Sequence, residues 1–216
     1  PSLLVWTPMN EEWWPDDVQY PRFTKDIYIL TKHLDPTRPV NVASGGQHLK
    51  TDIWTVHNYE QDPVKLRNKI YKNGIFFQTP FRTAVGTRNI GFNNVKNVIS
   101  YPFPLYEGNI PYMIDEFGGI KWVKDQAEQQ KESKTESWGY GESPKSLDEL
   151  YHRLEGQVDA ILSISEYVWG YCYTQLTDVE QERNGLFFYD RTPKFDMKRI
   201  NKIFNKMPNE VQQIEK

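Results

Sequence analysis

Five short apolar runs, each closing on polar or aromatic residues, alternate with helix-forming stretches along this chain, and that alternation limits what it can fold into. The runs are residues 3–9, 39–44, 52–59, 111–117 and 167–175. Residues 22–34 set Phe23, Ile27, Leu30 and Leu34 at helical spacing. Residues 62–73 set Val64, Leu66 and Ile70 behind an Asp62-Pro63 start, and residues 146–162 and 196–206 repeat the pattern. Near-continuously apolar strands separated by helices are parallel strands covered by those helices. The expected class is α/β, either a doubly wound sheet or a (β/α)8 barrel, and both build their sites at the carboxyl ends of strands. Those ends hold Asn10-Glu11, His57-Asn58-Tyr59, Asp115-Glu116 and residues 169–175.

With 38% of its 216 residues hydrophobic, the chain can bury a sizeable core, and a net charge of -3 offers no basic surface to a nucleic acid. No window approaches the roughly 18 apolar residues of a membrane span. The single cysteine, Cys172, excludes an internal disulfide, and its position inside an apolar run predicts a buried side chain. The compartment stays open. Seven Trp, thirteen Tyr and eleven Phe exceed what such a core needs, and flat rings with polar tips suit sugar-binding surfaces. Residues 74–110 are too long for an ordinary connection and are expected to form a functional loop or insertion. The charged segment 121–145 reads as solvated surface, with a mobile flap as the sharper alternative. The chain opens at Pro1, immediately ahead of a run that reads as a buried strand, so its left end is expected to be a cut.

Two strand-end carboxylates, Glu11 and Glu116, carry the chemistry. If their strands point the same way, both reach one face. Two carboxyl groups across a sugar-sized gap can break a glycosidic bond, one protonating the leaving oxygen while the other attacks the anomeric carbon. Glu12 reads as a loop carboxylate, Asp115 points away from Glu116 by strand alternation, and Trp13 and Trp14 line an aglycone side or pack under a loop. His57 bonds a substrate hydroxyl or supports Tyr59. Asp178, Glu180 and Glu182 read as a structural turn. The four histidines lack zinc-site spacing and no phosphate-binding glycine loop is present, so no metal or cofactor is expected.

The stretch VWTPMNEEW at residues 5–13 resembles the acid/base strand of glycoside hydrolase family 2, the β-galactosidase and β-glucuronidase relatives, where an Asn-Glu pair ends the fourth barrel strand. PYMIDEFGG at residues 111–119 is similar to that family's nucleophile strand, and residues 170–194 to the segment after its eighth strand. The resemblance implies that residues 1–216 are one domain, the C-terminal portion of a (β/α)8 TIM barrel covering strands four to eight. Strands one to three and any upstream β-sandwich domains would belong to the remainder of the same polypeptide. It further implies a retaining, exo-acting, β-galactosidase-like glycosidase that works through a covalent glycosyl-enzyme intermediate. Glu11 matches the general acid/base and Glu116 the nucleophile. Asn10 matches the contact to the sugar 2-hydroxyl, Tyr59 the tyrosine that orients the nucleophile, and Trp169 or, under a shifted alignment, Tyr173 the floor of the sugar subsite. A non-catalytic carbohydrate-binding relative and an inverting hydrolase on the same scaffold stand as alternatives. The expected partner is a carbohydrate substrate.

Overall fold

Helix α1 (Gln19–Leu34) is the first regular element of the computed structural model, which describes residues 2–11, 19–76, 106–123 and 137–211. Strand β1 (Trp54–Asn58), helix α2 (Pro63–Ile70), the short strands β2 (Tyr71–Lys72) and β3 (Ile75–Phe76), and strand β4 (Tyr112–Gly118) follow. Helix α3 (Leu147–Leu162), strand β5 (Gly170–Thr174) and helix α4 (Met197–Phe204) complete the order. The result is a mixed α/β chain with a three-stranded parallel sheet of order β1-β4-β5. It divides into two units, one of residues 1–57 and 76–113, the other of residues 58–75 and 114–216.

In the first unit, the runs 3–9 and 39–44 lie side by side in parallel but meet only as isolated bridges, Trp6 with Val40 and Asn10 with Ser44. The interruption is chemical: Pro8 has no N–H to give to the rung between them. Residues 3–9 were expected to be buried, yet Leu4 is 76% exposed and Leu3 and Trp6 are about half as exposed; only Val5 and Met9 turn partly inward. Val40, Val42, Ala43 and Tyr28 form the core here, with Met9 and Ile27 packed against it. Helix α1 thus buries a different face from the one its apolar letters suggest. Thr24 is fully buried and Thr31 half-buried, whereas Phe23, Leu30 and Leu34 are exposed. The threonines can go inside because each hydroxyl bonds to a carbonyl one turn back, Pro21 for Thr24 and Ile27 for Thr31.

In the second unit, α2 packs on α3 and α3 on α4. Both expected helix starts are present: the Asp62 carboxylate accepts from the Lys65 N–H, and the Ser146 hydroxyl accepts from the Glu149 N–H. Leu66, Ile70, Leu150, Leu154, Val158, Ile161, Ile200 and Ile203 are buried on these helices. Helix α2 ends at Ile70, three residues earlier than expected, because Asn73 and Gly74 both take positive φ and turn the chain into the β2–β3 hairpin. Most of the loop expected at 74–110 lies outside the described residues. So do most of the charged run at 121–145, and Glu12, Trp13 and Trp14 with it. Along β5, Tyr171 and Tyr173 pack edge-on against Phe117, which leaves Cys172 on the opposite face; it is exposed, not buried. Among the described residues no helix is long and apolar enough to cross a membrane.

Candidate active site

The first unit contributes Asn10, Glu11 and His57. The bridge between Asn10 and Ser44 ends the parallel pairing, and the Glu11 N–H donates to the Ser44 carbonyl at 2.9 Å. Glu11 then takes φ 49°, a left-handed backbone uncommon for a residue with a side chain and held by its neighbours. Its carboxylate Oε1 lies 2.6 Å from His57 Nδ1, and His57 Nε2 lies 2.9 Å from the Ser44 hydroxyl. The neutral tautomer that satisfies both contacts donates from Nδ1 to Glu11 and accepts the Ser44 hydroxyl on Nε2. His57 is buried at the end of β1, while the Glu11 side chain is 41% exposed. A buried imidazole therefore grips an accessible carboxylate, a contact not among the two options that the sequence left for His57.

The second unit contributes Tyr59 and Glu116. Glu116 sits on β4, two residues before its end, and its Oε2 accepts a hydrogen bond from the Tyr59 hydroxyl. Burial, and after it the bond to Glu116, push the Tyr59 phenol far above its ordinary range, so it remains a proton donor at any working pH. Gln61 fixes the turn that carries Tyr59: its amide donates to the Tyr59 carbonyl at 2.9 Å and to the Gly118 carbonyl at 2.7 Å.

An aromatic pair that the sequence reading missed adjoins this contact. The Tyr140 ring lies flat on the Tyr59 ring, centroids 3.5 Å apart at 1°, and Trp138 meets Tyr140 edge-on at 5.9 Å. Both were absorbed into the charged segment 121–145. Their signal is the alternation Trp138-Gly139-Tyr140-Gly141, aromatic residues two apart amid glycines in otherwise polar surroundings. The stack needs Gly119, whose φ is +60° and where a Cβ would stand 2.4 Å from the Tyr140 ring and 3.0 Å from that of Tyr59.

Trp169 and Tyr173 belong to the same unit. Trp169 precedes β5, at the opposite end of the sheet from Tyr59 and Glu116, and is 75% exposed beside Glu166 and Pro208. The Tyr173 hydroxyl donates to the Asn184 carbonyl at 3.1 Å and its ring fills the space where a Gly118 side chain would be. Asp178 is buried with Lys194, 2.7 Å apart, and also accepts from the Gly185 N–H, so the turn at 178–185 is fixed from inside. Burial lowers the Lys194 ammonium's affinity for its proton, against the pull of Asp178.

The solved structures that share this fold include two of Parabacteroides merdae β-glucuronidase. One has a TM-score of 0.52 at 12% identity over 90% of this chain and 23% of that one. The other has a TM-score of 0.50 at 12% identity over 88% and 22%. This chain thus spans less than a quarter of the proteins it matches, and the likeness is one of fold. No family model matches the chain, and no curated protein does.

Proposed function

We propose that this chain is part of a retaining, exo-acting β-glycosidase, β-galactosidase-like in its substrate, with Glu116 as nucleophile and Glu11 as general acid/base. One observation carries the reading: a carboxylate near the end of β4, Glu116, accepts a hydrogen bond from the half-buried Tyr59 phenol, whose proton that environment holds on. Such a bond favours the ionised carboxylate, the form a nucleophile requires. Glu11 has what an acid/base needs, a side chain open to solvent and a nitrogen partner that orients it. In the first step Glu11 gives its proton to the leaving oxygen as Glu116 attacks the anomeric carbon, forming a glycosyl ester. In the second, Glu11 takes a proton from water, which attacks the same carbon and frees Glu116. Asn10, at the end of the same segment as Glu11, would bond the sugar 2-hydroxyl.

We read residues 1–216 as strands four to eight of a (β/α)8 barrel completed by further polypeptide. Three features support this: strand-like segments that neighbour one another in chain order, exposed apolar side chains on residues 3–6, and a fold shared with part of a β-glucuronidase. In the full-length protein, Glu116→Gln is expected to cut turnover of nitrophenyl β-galactoside on the order of ten-thousandfold. Glu11→Gln should be far less harmful with nitrophenolate, which needs little protonation, than with an alkyl leaving group. Wild-type turnover by Glu116→Gln would sink the assignment, and nuclear magnetic resonance of the first-formed sugar should show retained configuration.

A further inference from the structure

We propose that Trp138 is a binding platform for the sugar ring on the leaving-group side of the scissile bond, a role that rests on the glycosidase reading of Glu116. The argument starts with anchoring. The Trp138 N–H donates to the Gln181 carbonyl and its carbonyl accepts from the Arg183 N–H, both at 2.9 Å, while the Trp122 N–H donates to the Arg183 carbonyl. The backbone of Trp138 is therefore sewn to the turn that the buried Asp178–Lys194 pair holds rigid. Trp138 is 47% exposed. The anchored backbone together with the edge-on contact to Tyr140 restrains the ring before any ligand arrives, which is what a binding platform requires.

Its neighbours define what it would bind. From the Glu116 carboxylate the chain of contact runs through the Tyr59 hydroxyl to the Tyr59 ring, across a face-to-face stack to Tyr140, and edge-on to Trp138. Tyr59 touches the carboxylate that would hold the cleaved sugar. Trp138 is two ring contacts removed from the residue that holds that carboxylate, which suits it to the next ring of the substrate rather than to the cleaved sugar. A pyranose presents C–H bonds on a flat face, the chemistry that indole faces accept. The Asp178 turn and the Trp138–Tyr140 pair, neither of which has a part in the bond-breaking steps, thereby acquire a joint role.

The test measures binding in the full-length protein carrying Glu116→Gln, by calorimetry, with lactose, whose leaving side is a pyranose, and methyl β-galactoside, whose leaving side is one carbon. Adding Trp138→Ala is expected to weaken lactose about tenfold and methyl β-galactoside roughly twofold or less, with Trp138→Phe between them. Melting temperature should fall only modestly, since about half of the residue is exposed and its backbone anchors remain. Equal weakening of both ligands, or lactose binding that ignores the substitution or is absent altogether, overturns the platform. Selective weakening of lactose in a protein whose wild type hydrolyses neither ligand would instead overturn the glycosidase reading and leave the platform standing.

Discussion

His57 separates two roles that the letters His57-Asn58-Tyr59 leave entangled. Residues two apart on a strand share a face, so the sequence could put His57 and Tyr59 on a common side, and the resemblance gave Glu116 to Tyr59 but no acid to His57. The structure gives Glu11 to His57 and Glu116 to Tyr59. If Glu11 is the acid, His57 acts through it as a positioning residue. His57→Asn should then lower kcat/KM on the order of 10- to 100-fold for glycosides with poor leaving groups, and much less for nitrophenyl glycosides. A plot of rate against leaving-group acidity checks this; a uniform drop would mean that His57 merely supports the fold. Trp169 shows the opposite limit of legibility: an aromatic residue near a strand is easy to see, but a shift of a few residues decides which end of the sheet it occupies.

At the level of elements, apolar runs and helical spacing identified β1, β4, β5 and the four helices among the described residues, and Asp62-Pro63 fixed one helix start. These signals fail where a local chemical detail overrides the pattern. Pro8 breaks a ladder, Asn73-Gly74 turns a helix into a hairpin, and back-bonded threonines make the inner face of α1. Strand β1 depends on another such detail, His48. It is 1% exposed, its Nε2 bonds the Thr55 carbonyl at 3.0 Å and its ring packs on Trp54 at 4.8 Å. Nδ1 has no partner among the described residues, so protonation would bury an unpaired N–H, and burial lowers this imidazole from its ordinary 6.5 to about 4. Between those values the unfolded chain binds a proton that the folded one refuses. Stability should therefore fall as pH drops below 6.5 and level off near 4, by about 3 kcal/mol in all. Urea melts from pH 7 to pH 4 measure it, and His48→Gln should flatten that part of the slope.

For the molecule as a whole, the sequence was most informative about class and least about what covers each surface, because an apolar letter does not state which neighbour buries it. Leu4 at 76%, Leu34 at 75% and Phe23 at 55% exposure all belong to residues 3–34, on the strand-like first segment and on α1. Isolated apolar side chains on a surface are ordinary, but several within one short stretch mark a face that meets something. In a barrel completed by earlier strands and helices, that face is where they would pack. The 216-residue chain by itself is accordingly expected to self-associate through the exposed apolar side chains of residues 3–6 and of α1, with light scattering showing an apparent mass that climbs with concentration. Leu4→Lys together with Leu34→Lys should suppress that climb, the second also setting a cation at the carboxyl end of α1, where the helix dipole favours it. Covalently joined to the remaining strands, the wild-type segment should need neither substitution. A monodisperse monomer of the isolated chain across the same concentrations would count against the completed-barrel reading, while leaving the Tyr59–Glu116 and His57–Glu11 contacts to be judged by their own variants.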